Sequence, residues 1–178
     1  MFRISLGVLV SLAAIIPAAA ADPPKELFGK SIVVMWSEMR SQRNVGQPKF
    51  RDVTASQALS VYVSLNGRVF NRFALQTRAG TGKIDQVAGS EGANRVPIFD
   101  ERTLRMNLPF RTGGARQVDV SFAEGFESCS AKVDYKKPPD GTRDIGFSPI
   151  TKKFIEFESL RPEEANCSLR DGNVFAGE

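Results

Sequence analysis

LSVYVSLNGRVFNRFAL, Leu59–Leu75, alternates apolar and polar residues on both sides of Asn66 and Gly67, the pattern of a β-hairpin closed by a tight turn. Its register follows from comparing two ways of closing it. A two-residue loop on Asn66 and Gly67 pairs Leu65 with Arg68 and gathers Val61, Val63 and Leu65 onto one face with Arg68 and Arg72. That face would mix apolar with basic side chains. A three-residue loop, a type I turn followed by Gly67 in the left-handed conformation, pairs Ser64 with Arg68 and Val63 with Val69. One face then carries Leu59, Val61, Val63, Val69 and Phe73. The other carries Ser60, Ser64, Arg68 and Arg72, with Tyr62 directly opposite Phe70 as a cross-strand aromatic pair. A one-residue slip exchanges the faces, so the pattern selects the bulged turn.

Alternation continues on either side of the hairpin. Upstream, Ile32, Val33, Val34, Met35 and Trp36 form an unbroken β-prone run, expected for a strand buried on both faces or passing through the centre of the domain. Glu38 and Arg40 mark its expected exit, followed by a polar stretch from Ser41 to Ser56 with a short strand over Phe50 to Ala55. Downstream, Gln76 to Arg95 is rich in Gly, Ala, Ser and Thr and reads as a long loop. Leu104, Met106, Leu108 and Phe110 then alternate with Thr103, Arg105 and Asn107; Val118, Val120 and Phe122 with Gln117, Asp119 and Ser121. Cys129, Ala131, Val133 and Tyr135 repeat the pattern, which puts Cys129 on the core side. Lys136 to Gly146 is a solvated loop, Lys153 to Glu158 a strand, Arg161 to Asn166 a segment with room for one helical turn, and Cys167 to Phe175 a last strand with a turn at Asp171, Gly172 and Asn173. With no helical periodicity of useful length, the expected fold is an all-β single domain, an antiparallel β-sandwich or barrel of about seven to nine strands.

Residues 1–21 read as a secretory signal: Arg3, an apolar stretch from Ile4 to Ile16, Pro17, then Ala19 and Ala21 before the cut. The apolar stretch falls short of the roughly 20 residues of a membrane-spanning helix. Residues 22–178 are thus expected as one exported β-domain, periplasmic or extracellular. Of 24 Lys and Arg against 20 Asp and Glu, Arg3 leaves with the signal. The remaining bias is small and fits a plain solvated surface as well as loose attraction to anionic envelope components. Cys129 and Cys167 are the only cysteines. In an exported chain they form a structural disulfide, and a redox dithiol or metal site would need a short C-x-x-C or further soft ligands. Histidine is absent, which removes Ser-His-Asp and Cys-His catalysis and histidine-ligated metals, leaving acid and base work to carboxylates, lysine or tyrosine.

The segments GKSIVVMWSE (Gly29 to Glu38), VYVSLNGRVF (Val61 to Phe70), PFRTGGARQVDVSF (Pro109 to Phe122), CSAKVDY (Cys129 to Tyr135) and DGNVFAGE (Asp171 to Glu178) resemble those of an uncharacterised family of small exported proteins from rhizobial-type alphaproteobacteria. The resemblance covers most of the chain after the signal, rests on scaffold segments, and implies an exported location without an activity.

Several stretches invite chemistry. Gly80, Thr81, Gly82 and Lys83 suggest a phosphate loop, but the spacing and the following Ile84 depart from a Walker A motif, and a flexible loop accounts for them. Asp140, Gly141 and Asp144 lack the further oxygen ligands of a calcium loop and read as a turn. Glu38 is the first carboxylate to consider for hydrolysis. Glu156 and Glu158 share a strand face, where paired charges commonly discourage edge aggregation. The outer hairpin face, Arg68 and Arg72 beside Tyr62 and Phe70, is the binding candidate: rings stack on sugars while arginines pair with carboxylate or phosphate. The same residues would also serve a covered sheet face, with the arginines extended over the rings.

The reading is therefore an exported, non-enzymatic binding or structural module of the cell envelope. Its expected partner is an anionic envelope polysaccharide or another protein, without cofactor, metal, nucleic acid or a transmembrane segment after the signal. The alternative is a carboxylate-dependent hydrolase of cell-wall or polysaccharide bonds. A third possibility is inhibition of an exported enzyme through the Gly-rich loop.

Overall fold

The computed structural model describes residues 22–78, 84–88, 97–148 and 151–174, with backbone alone for 74–78 and 84–88. Residues 1–21, read above as the export signal, and most of the Gly-rich stretch, including Gly80 to Lys83, lie outside the described residues. In chain order the strands are β1 (Lys30–Asn44), β2 (Arg51–Val63), β3 (Val69–Arg78), β4 (Ile84–Ala88), β5 (Ile98–Asp100), β6 (Thr103–Pro109), β7 (Ala115–Phe122), β8 (Cys129–Lys136), β9 (Asp144–Ser148) and β10 (Lys153–Asp171). Among the described residues they form two antiparallel sheets, β4-β3-β2-β1-β10-β9 and β5-β6-β7-β8. The fold is the expected all-β sandwich.

The hairpin has the bulged register. Val63 pairs with Val69, Tyr62 with Phe70 and Leu59 with Phe73. Ser64 N–H donates to Arg68 O at 2.8 Å, Gly67 N–H donates to Ser64 O at 2.9 Å, and Gly67 has φ +79°, a conformation glycine adopts without steric cost. Leu59, Val61 and Val63 point inward and are buried. β1 sits centrally, as its apolar run implies, with Ile32, Val34 and Trp36 in the core and Val33 buried on the opposite face, whereas Met35 is exposed. From β6 and β7, Leu104, Met106, Leu108, Val118, Val120 and Phe122 meet them across the sandwich. A smaller cluster of Ile155, Phe157 and Leu160 packs with Phe110 and Tyr135.

Four local expectations are corrected. β1 does not leave the sheet at Glu38 but runs on to Asn44, since β2 begins at Arg51 and supplies partners from Arg51 through Tyr62. The long loop at Gln76–Arg95 is interrupted, because β3 extends to Arg78 and pairs with β4 (Ala74 with Ala88, Arg78 with Ile84). Arg161 to Asn166 contains no helical turn: Arg161, Pro162, Ala165 and Asn166 all pair with β1. The two strands expected at the C-terminal end are therefore one, β10. A bulge between Trp36 and Glu38 absorbs the irregularity at Pro162.

Cys129, at the start of β8, is bonded to Cys167 on β10, with Cα atoms 5.6 Å apart. The bond thus ties the smaller sheet's edge to the larger sheet where β8 and β10 lie side by side. The cysteines are separated by 38 residues, and the chain-entropy model gives about 4 kcal/mol for a loop of that size. The Cys129→Ala, Cys167→Ala double variant should lose that much in urea denaturation. An unchanged midpoint would show that the staple contributes nothing.

Candidate functional site

Glu38, the carboxylate favoured by the hydrolase alternative, is fully buried. It follows Ile32, Val34 and Trp36 on the inward face of β1, and Arg40 and Gln42 continue the same row inward. Trp36 Nε1–H donates to Glu38 Oε1 at 2.9 Å and Arg40 Nε–H to Oε2 at 2.9 Å. Arg116, on β7 of the opposite sheet, grips both oxygens: its Nε–H donates to Oε1 and its Nη2–H to Oε2 at 2.9 Å. The Arg116 guanidinium lies over the Phe110 ring at 4.3 Å, and Arg40 stands over Phe157 at 5.7 Å. Each cation therefore has an aromatic face in place of water.

Burial by itself raises the Glu38 pKa, but the charges and hydrogen bonds of Arg116 and Arg40, with the Trp36 hydrogen bond, hold it below the ordinary 4.5. Burial in turn lowers the Arg40 pKa to about 10, which leaves it cationic at neutral pH. A general acid needs a raised pKa and access to substrate. Glu38 has neither, and its role is an ion pair between sheets.

A second buried carboxylate extends the network. Asp144 on β9 is inaccessible and accepts hydrogen bonds from Tyr135 Oη–H at 2.5 Å, Thr112 Oγ1–H at 2.8 Å and Gly114 N–H at 3.1 Å. Tyr135 pairs across the strands with Arg116. Burial, followed by the Asp144 contact, raises the Tyr135 pKa and keeps its phenol a donor. A Cβ on Gly114 would lie 1.9 Å from Asp144 Oδ2, so only glycine admits the carboxylate. Glu38 is thus paired with both Arg40 and Arg116 inside the sandwich, and Asp144 is met by hydroxyl and backbone donors. Gln57, also inward and buried, has no hydrogen-bond partner for its amide among the described residues.

The other carboxylate candidates are occupied at the surface. Glu156 accepts from Arg43 at 2.7 Å and from Arg143 at 3.3 Å, and Glu158 pairs with Arg143 at 3.6 Å. Asp140 Oδ1 accepts from Thr142 N–H and Oγ1–H, closing a turn, while Asp144 points inward. Among the described residues no cluster of three or more His, Cys, Asp or Glu is arranged to hold a metal ion.

All four hairpin candidates share the outer face of the larger sheet. Three successive rungs carry Ser64 with Arg68, Tyr62 with Phe70, and Ser60 with Arg72. The two rings stack with centroids 6.3 Å apart, Phe70 and Arg68 are exposed, and Tyr62 and Arg72 are half-buried. An aromatic rung thus lies between two arginine rungs. The face continues over small side chains, Ser60, Ala58 and Ser56, toward the exposed Met35 and Met39 of β1.

The inward-facing Arg40, Gln42 and Arg116, which local composition does not mark as core residues, obey the same alternation as their apolar neighbours. Arg116 stands two residues before Val118 and shares its inward parity; Arg40 and Gln42 share that of Trp36. The signal was present, but a charged residue at an inward position reads as a strand end unless its partner on another strand is known. The chain matches no family model, and comparisons with curated proteins and with solved structures find no match.

Because folding depresses the Glu38 pKa, its stabilisation is fully present above the ordinary carboxylate value and is lost as pH falls through the folded-state value. Glu38→Gln should cost about 3 kcal/mol at neutral pH and flatten the acid limb of stability against pH. An acid limb as steep as that of the unsubstituted protein would contradict the assignment.

Proposed function

We propose that the protein is an exported, non-enzymatic binding module of the cell envelope that holds an anionic polysaccharide on the outer hairpin face. The observation that carries this reading is the stacked Tyr62 and Phe70 rung flanked by Arg68 and Arg72 on the outer face of the larger sheet. Rings of this kind lie flat against sugar faces, and the flanking guanidiniums pair with carboxylate, sulfate or phosphate substituents along the polymer.

Two further features support it. The Cys129–Cys167 disulfide fits an oxidising compartment, in keeping with the signal-like start of the chain and with its resemblance to exported alphaproteobacterial proteins. Buried Glu38 and Asp144 serve the interior, and Glu156 and Glu158 are held by arginines. Among the described residues, the carboxylates singled out for the hydrolase alternative are thus engaged in the interior or in surface ion pairs.

Retention on an immobilised alginate column, a carboxylated polysaccharide, should fall about tenfold in the Arg68→Ala, Tyr62→Ala double variant, the loss expected for one charge pair and one stacked ring. Equal retention of variant and unsubstituted protein would refute the hairpin site.

A further inference from the structure

Exposed apolar side chains gather at the end of the sandwich opposite the hairpin turn. Phe147 and Phe154 are a cross-strand pair at the β9–β10 edge, with rings 5.5 Å apart and each side chain about half exposed. Val45, also exposed, opens the β1–β2 connection and its N–H donates to Phe154 O at 3.0 Å. The β6–β7 connection joins them: Arg111 N–H donates to Ile145 O at 3.1 Å, and its guanidinium lies over Phe154 at 5.1 Å. Two strand connections and one edge pair therefore present a single apolar tip.

Cations surround it. Residues 45–50 and 110–114 of these connections, with 151–153 at the β9–β10 turn and the start of β10, contribute exposed Lys49, Arg111, Lys152 and Lys153 and contain no carboxylate. Lys49, Lys152 and Lys153 make no ion pair among the described residues. Of the acids flanking these residues, Glu156 is held by Arg43 and Arg143 and Asp144 lies inside the fold, while Asp52 stands exposed at the start of β2. Scattered exposed apolar residues are ordinary, but rings clustered within unpaired cations mark a docking surface.

We propose that this tip docks on the surface of an anionic lipid bilayer, with Phe147, Phe154 and Val45 entering the interface and Lys49, Arg111, Lys152 and Lys153 meeting the headgroups. Aromatic side chains favour the boundary between headgroup and acyl chain, and each nearby cation adds to attraction toward acidic lipid. The hairpin face lies at the other end of β2, with Tyr62 beside Ser31 at the start of β1 and Arg51 beside Gln42 near its end. The two surfaces are thus separable, and lipid docking stands without the polysaccharide reading.

The test is cosedimentation of the purified protein with vesicles of phosphatidylcholine, with or without phosphatidylglycerol, at low and high salt. Binding should require phosphatidylglycerol and weaken with salt. Phe147→Ser with Phe154→Ser should lower the partition coefficient about tenfold or more, and Lys152→Gln with Lys153→Gln about fivefold for each cation removed. Both phenylalanines are exposed, and an unchanged thermal midpoint shows that the fold is intact. The proposal is overturned if phosphatidylglycerol vesicles leave the protein in the supernatant, or if the phenylalanine variant binds as tightly as the unsubstituted protein. It is equally overturned if only the Arg68→Ala, Tyr62→Ala variant loses binding. A lipid-free dimer in sedimentation velocity that the phenylalanine substitutions abolish would assign the tip to a second copy of this chain instead.

Discussion

Glu38, locked between Arg40 of its own strand and Arg116 of the facing sheet, is the constraint around which the sandwich is arranged. A carboxylate with no access to water persists only where its charge and lone pairs are met, and one of its partners must come from across the core. The requirement fixes β7 against β1 in one alignment. It also separates the main apolar cluster around Trp36 and Leu104 from the smaller one around Phe157 and Leu160. Relative to a wholly apolar packing such a network adds little net stability, whereas removing one member leaves a stranded charge at a cost of about 3 to 5 kcal/mol. We read it as specifying how the two sheets meet. Asp144 is a second buried carboxylate, hydrogen-bonded to Tyr135, the cross-strand neighbour of Arg116.

This interior use of charge shapes the surface. The long strands β1, β2 and β10 carry their inward rows past the apolar core and into the polar one, so their outward rows are correspondingly extended. One end of the larger sheet presents the Tyr62 and Phe70 rung between arginines, the other the Phe147 and Phe154 pair among lysines and Arg111. Both are basic and aromatic. They differ in curvature, the first lying on a sheet face and the second at a tip formed by connections, and the ligand chemistry proposed for each follows that difference.

The hairpin was legible in the sequence because two local terms agree: the turn residues Asn66 and Gly67, and an alternation that keeps Leu59, Val61 and Val63 apart from Arg68 and Arg72. The disulfide was legible from an even cysteine count. The extent of β1 was not, because Glu38, Arg40 and Gln42 have the composition of a strand exit and the parity of a core row. What keeps them in the strand is Arg116, some eighty positions along the chain, a partner that no local pattern specifies. β10 reads as two segments for a related reason: Pro162 has the composition of a breaker, yet a bulge opposite Trp36 and Glu38 carries the strand past it. Of the candidate site, the four hairpin residues could be placed on one face from register alone. The Phe147 and Phe154 tip has no local signature in the sequence, since its exposure depends on β9 being an edge strand and on three connections converging.

The alignment of the two sheets depends on Glu38 and Arg116 acting as one unit across the core. A double-mutant cycle with Glu38→Gln, Arg116→Met and their combination, read by urea denaturation at neutral pH, measures that directly. A coupling energy of about 2 kcal/mol or more is expected for a buried, two-point ion pair. Additive losses, with a coupling near zero, would mean that the sheets are aligned without it.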